Sequence, residues 1–276
     1  MQDVIFNPYY RAIEVYDRVS RKIIRYDLDG KFLKEWSVQI YFYSFDILDK
    51  DTYILHADGG TIENQEIEHN LLLVNEDMSK VQVKEFPIIS GIDHIVSPFR
   101  ISSFRENLLF TFGFSDIIYN VSLKGVRPKY YVDFGQYKLP DEIRTTAINI
   151  SDEGAPMKLT NLLHSPYAKS ISYLVENDRW LSFMFRYKGE EKPHVLYDKT
   201  KDEVFILDQQ LIGKYFYSLP MASTPNYFLA QVPAHAFRSF VSEKALEKDV
   251  SQKILDLSSE LSDYDNPIIL KMRFQK

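Results

Sequence analysis

Short runs in which apolar and polar residues alternate recur along this chain, and few stretches show helical spacing. The clearest run is KIIRYDLDGKFLKEW, residues 22–36. Alternation sends successive side chains to opposite faces of a strand, and Asp27, Asp29 and Gly30 interrupt it with the residues that form tight turns. The segment therefore predicts a β-hairpin. The same grammar returns in NLLLVNEDMSKVQVKEF (70–86), DIIYNVSLKGVRPKYYVDF (116–134) and HVLYDKTKDEVFILD (194–208).

Equivalent positions of the four hairpins, Tyr26, Val74, Tyr119 and Tyr197, lie 48, 45 and 78 residues apart. Periods of roughly 40–50 residues in a strand-rich sequence are those of propeller blades. The long third interval equals one blade plus an insertion. Ahead of the later hairpins come paired shorter runs: YFYSFDIL with TYILHAD, PFRISSF with NLLFTFGF, and SISYLVEN with RWLSFMFRY. A fourth pair, YFYSL with NYFLAQV, follows the last hairpin. Two strands plus a hairpin make a four-stranded sheet, which cannot bury both faces alone and stacks on like neighbours.

The expected fold is thus all-β, a single propeller domain over residues 1–276 made of four-stranded antiparallel blades. Five blades are recognisable, near 3–38, 41–88, 94–137, 170–208 and 215–274. A loop insertion fills 138–169, where periodicity fails and Pro140, Gly154, Pro156 and Pro166 gather. Loops of that length in compact domains are often functional. A short helical insertion at 237–261 is expected from the near-helical spacing of Phe240, Ala245, Leu246, Ile254, Leu257 and Leu261. The strand NPIILKMRF then closes the chain.

Composition agrees with sheet: 14% of residues are aromatic, with 19 Tyr and 19 Phe, side chains that suit a pleated, half-buried surface. A net charge of −6 offers no footprint for a phosphate backbone, so nucleic acid is not an expected partner. No apolar stretch approaches the roughly 18 residues of a membrane span. Zero cysteines exclude disulfides and thiolate chemistry and leave the redox compartment open.

Three stretches, KIIRYDLDGKF, SDIIYNVSLKGVRPKYYVDFGQYKLPDE and DYDNPIILKMRF, resemble the Bacteroidetes six-bladed β-propeller family, which is distantly similar to NHL-repeat propellers and mostly of uncharacterised function. Members of that family usually start with a secretory or lipoprotein signal and a first NHL-like blade, neither of which is seen here. The resemblance implies an extracellular, cell-surface or periplasmic setting, and a lipid anchor in full-length members. It leaves three closures open: a five-bladed ring, an incomplete six-bladed ring, or completion by another chain. An open blade edge would invite self-association.

Candidate chemistry is sparse. The six histidines, His56, His69, His94, His164, His194 and His235, form no HxH or HxxxH pair, so no local metal spacing exists. DLDGK opens like a calcium loop but lacks the distal glutamate, and reads as a hairpin turn. No GxSxG, P-loop or GxGxxG occurs. Asn120-Val-Ser122 and Asn149-Ile-Ser151 match the glycosylation tripeptide, which is common by chance. No cofactor, metal or catalytic residue is assigned.

A ligand on the propeller axis would meet the innermost strand of each blade, where Tyr43, Asp46, Arg100, Tyr173 and Tyr217 supply aromatic and polar groups of the kind concave sites use. The bland reading of the same residues is packing between blades. Arg186 and Tyr187, ahead of the KGEEK turn, are exposed alternatives. The expected function is a non-catalytic binding module for a glycan, peptide or protein partner; the alternative is a sugar- or lactone-directed hydrolase or lyase with an axial site.

Overall fold

The computed structural model describes residues 2–57, 61–62, 65–66, 68–88, 101–105, 107–145, 153–187, 193–207, 219–246 and 251–274. They form two compact units: Met1–Ser172 with Phe185–Glu191, and Tyr173–Met184 with Lys192–Lys276.

In the first unit, β1 (Gln2–Asn7), β2 (Ala12–Asp17), β3 (Lys22–Tyr26) and β4 (Phe32–Ser37) form an antiparallel meander in chain order. The second sheet runs β5 (Ser44–Asp49), β6 (Thr52–His56), β9 (His69–Asn75) and β10 (Val81–Pro87), and a small ribbon of β7 (Thr61–Ile62) and β8 (Gln65–Glu66) lies between β6 and β9 in sequence. The third sheet is β11 (Ile101–Phe104), β12 (Asn107–Phe110), β13 (Ile117–Ser122) and β14 (Gly125–Tyr131).

Central strands here are apolar on both faces because both faces are covered. In β6, Tyr53 and Leu55 join Tyr16, Ile23, Phe42, Phe45 and Leu72 in one buried cluster. Ile54 points the other way, into a second cluster with Leu71, Leu73, Leu108, Phe110 and Val121. The second sheet is thus sandwiched between the first and the third. Each fully buried Leu, Ile or Phe contributes about 1.5–3 kcal/mol. Aromatic pairs tighten both layers: Tyr16 stacks on Phe42 at 3.9 Å, and Phe86 meets Tyr119 at 4.6 Å.

Buried ions tie the first sheet to the second. Glu14, fully buried, accepts hydrogen bonds from Arg25 Nε (2.8 Å), Asn7 Nδ2 (2.8 Å) and the Tyr53 hydroxyl (2.8 Å). Arg25 also reaches Glu76 at 3.1 Å and lies under the Tyr10 ring at 3.9 Å. A buried pair of this kind is tolerable because every polar atom around the carboxylate finds a partner. Burial and the neighbouring Glu14 charge push the Tyr53 hydroxyl well above its ordinary value.

Hairpin ends share one device. The carboxylates of Asp17, Asp27, Asp49, Asp77 and Asp198 each accept the backbone N–H two residues on, at 2.8–3.0 Å. Asn7 and Asn177 do the same with Tyr9 and Arg179. These are Asx turns, which reverse the chain without help from tertiary contacts. Asp27 also accepts from Lys31 N, and Gly30 takes the left-handed φ of 81° that this turn needs. DLDGK is a hairpin turn, as expected.

In the second unit, β15 (Ile171–Glu176), β16 (Trp180–Phe185), β17 (His194–Asp198) and β18 (Glu203–Leu207) form the fourth sheet, β15 and β16 each carrying an end into the first unit. A fifth sheet shows three strands among the described residues, β19 (Ala222–Ser223), β20 (Phe228–Val232) and β21 (Ile268–Met272). The expected strand at 215–218 lies outside the described residues. Val175, Trp180, Leu196 and Phe228 form the core of this unit, with Met272 and Phe274 packed against it. The helical insertion is real and starts slightly earlier than its spacing predicted: α3 (Ala234–Leu246) and α4 (Gln252–Glu260) precede β21, whose Ile268 and Leu270 pack on Phe237 and Val241. The insertion at 138–169 holds α1 (Asp141–Thr145) and α2 (Ala155–Leu163). Successive four-stranded antiparallel blades with few helices make this a β-propeller fold.

Candidate functional site

Sheet order makes β1, β5 and β11 terminal strands of their sheets, and β5 runs alongside both of the others. This places Asp3, Asp46 and Ser103 in one neighbourhood. Asp3 Oδ2 accepts from Phe45 N at 2.9 Å, and Asp46 Oδ1 accepts from Ile47 N at 2.8 Å. Burial pushes the Asp46 carboxyl up to about 6; the bonds from Ile47 and Ser103 oppose the rise and the nearby Asp3 charge adds to it. Burial also raises Asp3, against the bonds from Phe45 and Val4. Two carboxylates that both resist ionisation share this end of the unit.

Tyr43 sits just ahead of β5 rather than on it, since the strand begins at Ser44. The Arg18 guanidinium lies over its ring at 4.7 Å and over the Tyr41 ring at 4.9 Å. Tyr43 is therefore part of a cation–π brace. Tyr173 is half-buried on β15 with φ of 50°, an uncommon backbone for a bulky residue. Arg100 and Tyr217 lie outside the described residues, as does His94.

The insertion shapes a pocket of about 170 Å³ against the third sheet. Phe114, Asp116, Tyr119, Phe134, Lys138 and Asp141 line it. Local sequence explains the walls. Phe114 holds φ of 55° at the turn before β13, and its N–H donates to Lys169 O, which carries the far end of the insertion back to the sheet. Gly135 turns the chain at φ of 53° after β14, aided by a bond from its N–H to Asp133, so that Phe134 and Lys138 fall on either side of one 3-10 turn. Leu139, Ala155 and Leu162 bury the base of the insertion under Phe114. Lys138 Nζ pairs with Asp116 Oδ2 at 2.8 Å, both partly open to solvent.

Beside the pocket runs an aromatic strip built from two distant segments. Phe134 meets Phe185 at 4.9 Å, Phe185 meets Tyr187 at 5.5 Å, and Tyr187 meets Tyr137 at 4.8 Å. All four rings are half-buried. Arg186, exposed between two of them, accepts the Lys169 N–H at its carbonyl, 2.9 Å away. The structure thus places the two candidates Arg186 and Tyr187 in the aromatic strip, which meets the pocket through Phe134, and neither Tyr43 nor Tyr173 lines that pocket.

Sequence reasoning missed Asp3 and the pocket lining. The stretch SDIIYNVSLKGVRPKYYVDFGQYKLPDE contains Asp116, Tyr119, Phe134, Lys138 and Asp141, so the signal lay inside the most distinctive part of the chain. A further pair escaped notice: Ser182 Oγ and His194 Nε2 lie 2.7 Å apart, both residues fully buried. Burial pushes His194 down to about 4. Sealed from solvent, the pair packs the fourth sheet. Among the described residues no group of three or more His, Asp or Glu could hold a metal, and none of their helices is long and apolar enough to cross a membrane.

Among solved structures, the chain is similar to a Bacteroides fragilis protein supposed to be exported, at 18% identity and a TM-score of 0.75, over 99% of this chain and 77% of that one. That likeness shows the fold. Virginiamycin B lyase from Staphylococcus aureus (13% identity, TM-score 0.38, 75% of this chain and 54% of that one) and BamB from Moraxella catarrhalis (10%, 0.40, 80% and 54%) resemble it too weakly to carry an argument. No curated protein matches the sequence. Residues 1–273 match the family described as Domain of unknown function (DUF4934), and the chain belongs to that family.

Proposed function

We propose that this chain is a non-catalytic binding module whose ligand is a glycan, displayed at the cell surface or in the periplasm. The strip of Phe134, Phe185, Tyr187 and Tyr137 carries the reading. Partly exposed aromatic rings clustered together offer apolar surface to the C–H faces of sugar rings, while their rigidity keeps the entropy lost on binding small. The charged pocket at one end supplies the few polar anchors that orient a ligand. The supposed export of the Bacteroides fragilis protein with the same fold supports the proposed location.

A glycan array, followed by titration calorimetry of the best ligand against wild-type protein and Tyr187→Ala, tests this. An aromatic contact is worth about 0.5–1.5 kcal/mol beyond its area, so the variant binds roughly 2- to 12-fold more weakly. An array without a single retained glycan, or unchanged affinity in Tyr187→Ala, defeats the proposal.

A further inference from the structure

Resting on the glycan reading, we infer that the pocket under the insertion is an end subsite that takes one neutral sugar ring through adjacent hydroxyls and rejects acidic sugars. At about 170 Å³ the cavity is smaller than the roughly 300–1,000 Å³ of sites for drug-sized ligands, so it holds a single ring rather than a chain. A sugar hydroxyl both donates and accepts. The Asp116 carboxylate only accepts and the Lys138 ammonium only donates, and the pair stands 2.8 Å apart on the pocket wall. Two neighbouring hydroxyls of a pyranose can bridge such a pair, each finding the partner type it lacks. Phe134, half-buried on the same lining, offers apolar ring surface to the remaining C–H faces.

Charge sets the selectivity. Among the described residues, two carboxylates, Asp116 and Asp141, line the cavity against one ammonium, Lys138. A uronate or other acidic sugar would bring a further carboxylate into a wall that already carries excess negative charge, and like charges in a confined site oppose binding. The strip lies on the Phe134 side of the cavity. A chain held against Phe185 and Tyr187 reaches the pocket past Phe134 with its terminal residue.

The test is titration of the intact chain with the methyl glycosides of glucose, galactose, mannose and glucuronic acid, and with the oligosaccharides retained on the array. The expected result is saturable binding of at least one neutral glycoside, at least tenfold weaker binding of the glucuronide, and at least a tenfold loss for the neutral ligand in both Asp116→Asn and Lys138→Met. Thermal melting of each variant confirms that it folds, and Lys138→Met keeps the chain length of an exposed residue should Asp116→Asn prove unstable. A glucuronide bound as tightly as the neutral sugars overturns the inference, as does unchanged affinity in both variants. So does a protein that binds oligosaccharides through Tyr187 but no methyl glycoside. If no saccharide of any length binds, the glycan reading itself falls.

Discussion

Replacing Asp46 by Asn should make the protein more stable at neutral pH. In the fold the Asp46 carboxyl titrates at about 6 against an ordinary value of 3.8, so between those pH values the folded state holds a proton that the unfolded chain has released. The stability this proton represents is complete below pH 3.8 and is lost as pH rises through 6. Each pH unit between the two values is worth about 1.36 kcal/mol. The charged form therefore costs the fold up to about 3 kcal/mol at pH 7.5, and residual solvent contact of this half-buried residue lowers that to about 1–3 kcal/mol. Asparagine removes the charge while keeping the oxygen that accepts the Ile47 N–H. It also frees Asp3 from a like-charged neighbour. Urea denaturation in a Trp180→Phe background, where Trp36 alone reports on the first unit, should show a gain at pH 7.5 that shrinks through pH 6 and vanishes below pH 4. A variant no more stable than its parent at pH 7.5 would refute the reasoning. So would a gain of equal size at pH 3.5, because the effect would then owe nothing to ionisation.

His194 titrates with the opposite sign. Its folded value of about 4 lies below the ordinary 6.5, so the stability it contributes is whole above pH 6.5 and drains away as pH falls toward 4, by about 3 kcal/mol; with Trp36→Phe, Trp180 fluorescence should show this loss in the second unit and its absence in His194→Gln. Glu14→Gln leaves the Arg25 guanidinium, 7% exposed, without its buried counter-charge, and should cost about 3–5 kcal/mol in urea denaturation followed by circular dichroism; a loss below about 1 kcal/mol means that Glu76 alone suffices for Arg25.

The hairpins were legible because everything they require is local. Alternation gives the strand and an aspartate or glycine gives the turn, so the hairpins expected at 22–36, 70–86, 116–134 and 194–208 appear in the structure where the pattern put them, the last as far as Leu207 among the described residues. Asp46 could be assigned to a terminal strand by the same logic. Its partner Asp3 could not, because their proximity depends on β1 lying against β5, some forty residues away in sequence. The pocket was hidden for the same reason. Its walls come from 114–119, from 134–141 and from Ala168, and they meet only when an insertion without periodicity folds back on the third sheet. Spacing rules for histidine look along one segment, whereas Ser182 and His194 stand on neighbouring strands, a diagonal apart in the β16–β17 register. Arg186 and Tyr187 stand out in the sequence for exposure alone, and their place at the site rests on Tyr137 and Lys169, which no linear pattern connects to them.

The Asx turns explain how sheets so similar in shape can be so dissimilar in sequence. The hairpins turning at Asp17, Asp27, Asp49, Asp77 and Asp198 each set their register through one side chain and a backbone N–H two residues away, so a copied blade carries its folding instructions with it. After gene duplication such a unit needs alternation, an apolar inner pattern and a local turn to remain a blade, and its exposed positions are free to drift. Architecture of this kind can lengthen or shorten by whole blades and take on new loops, such as the one that builds the pocket, without rewriting its core.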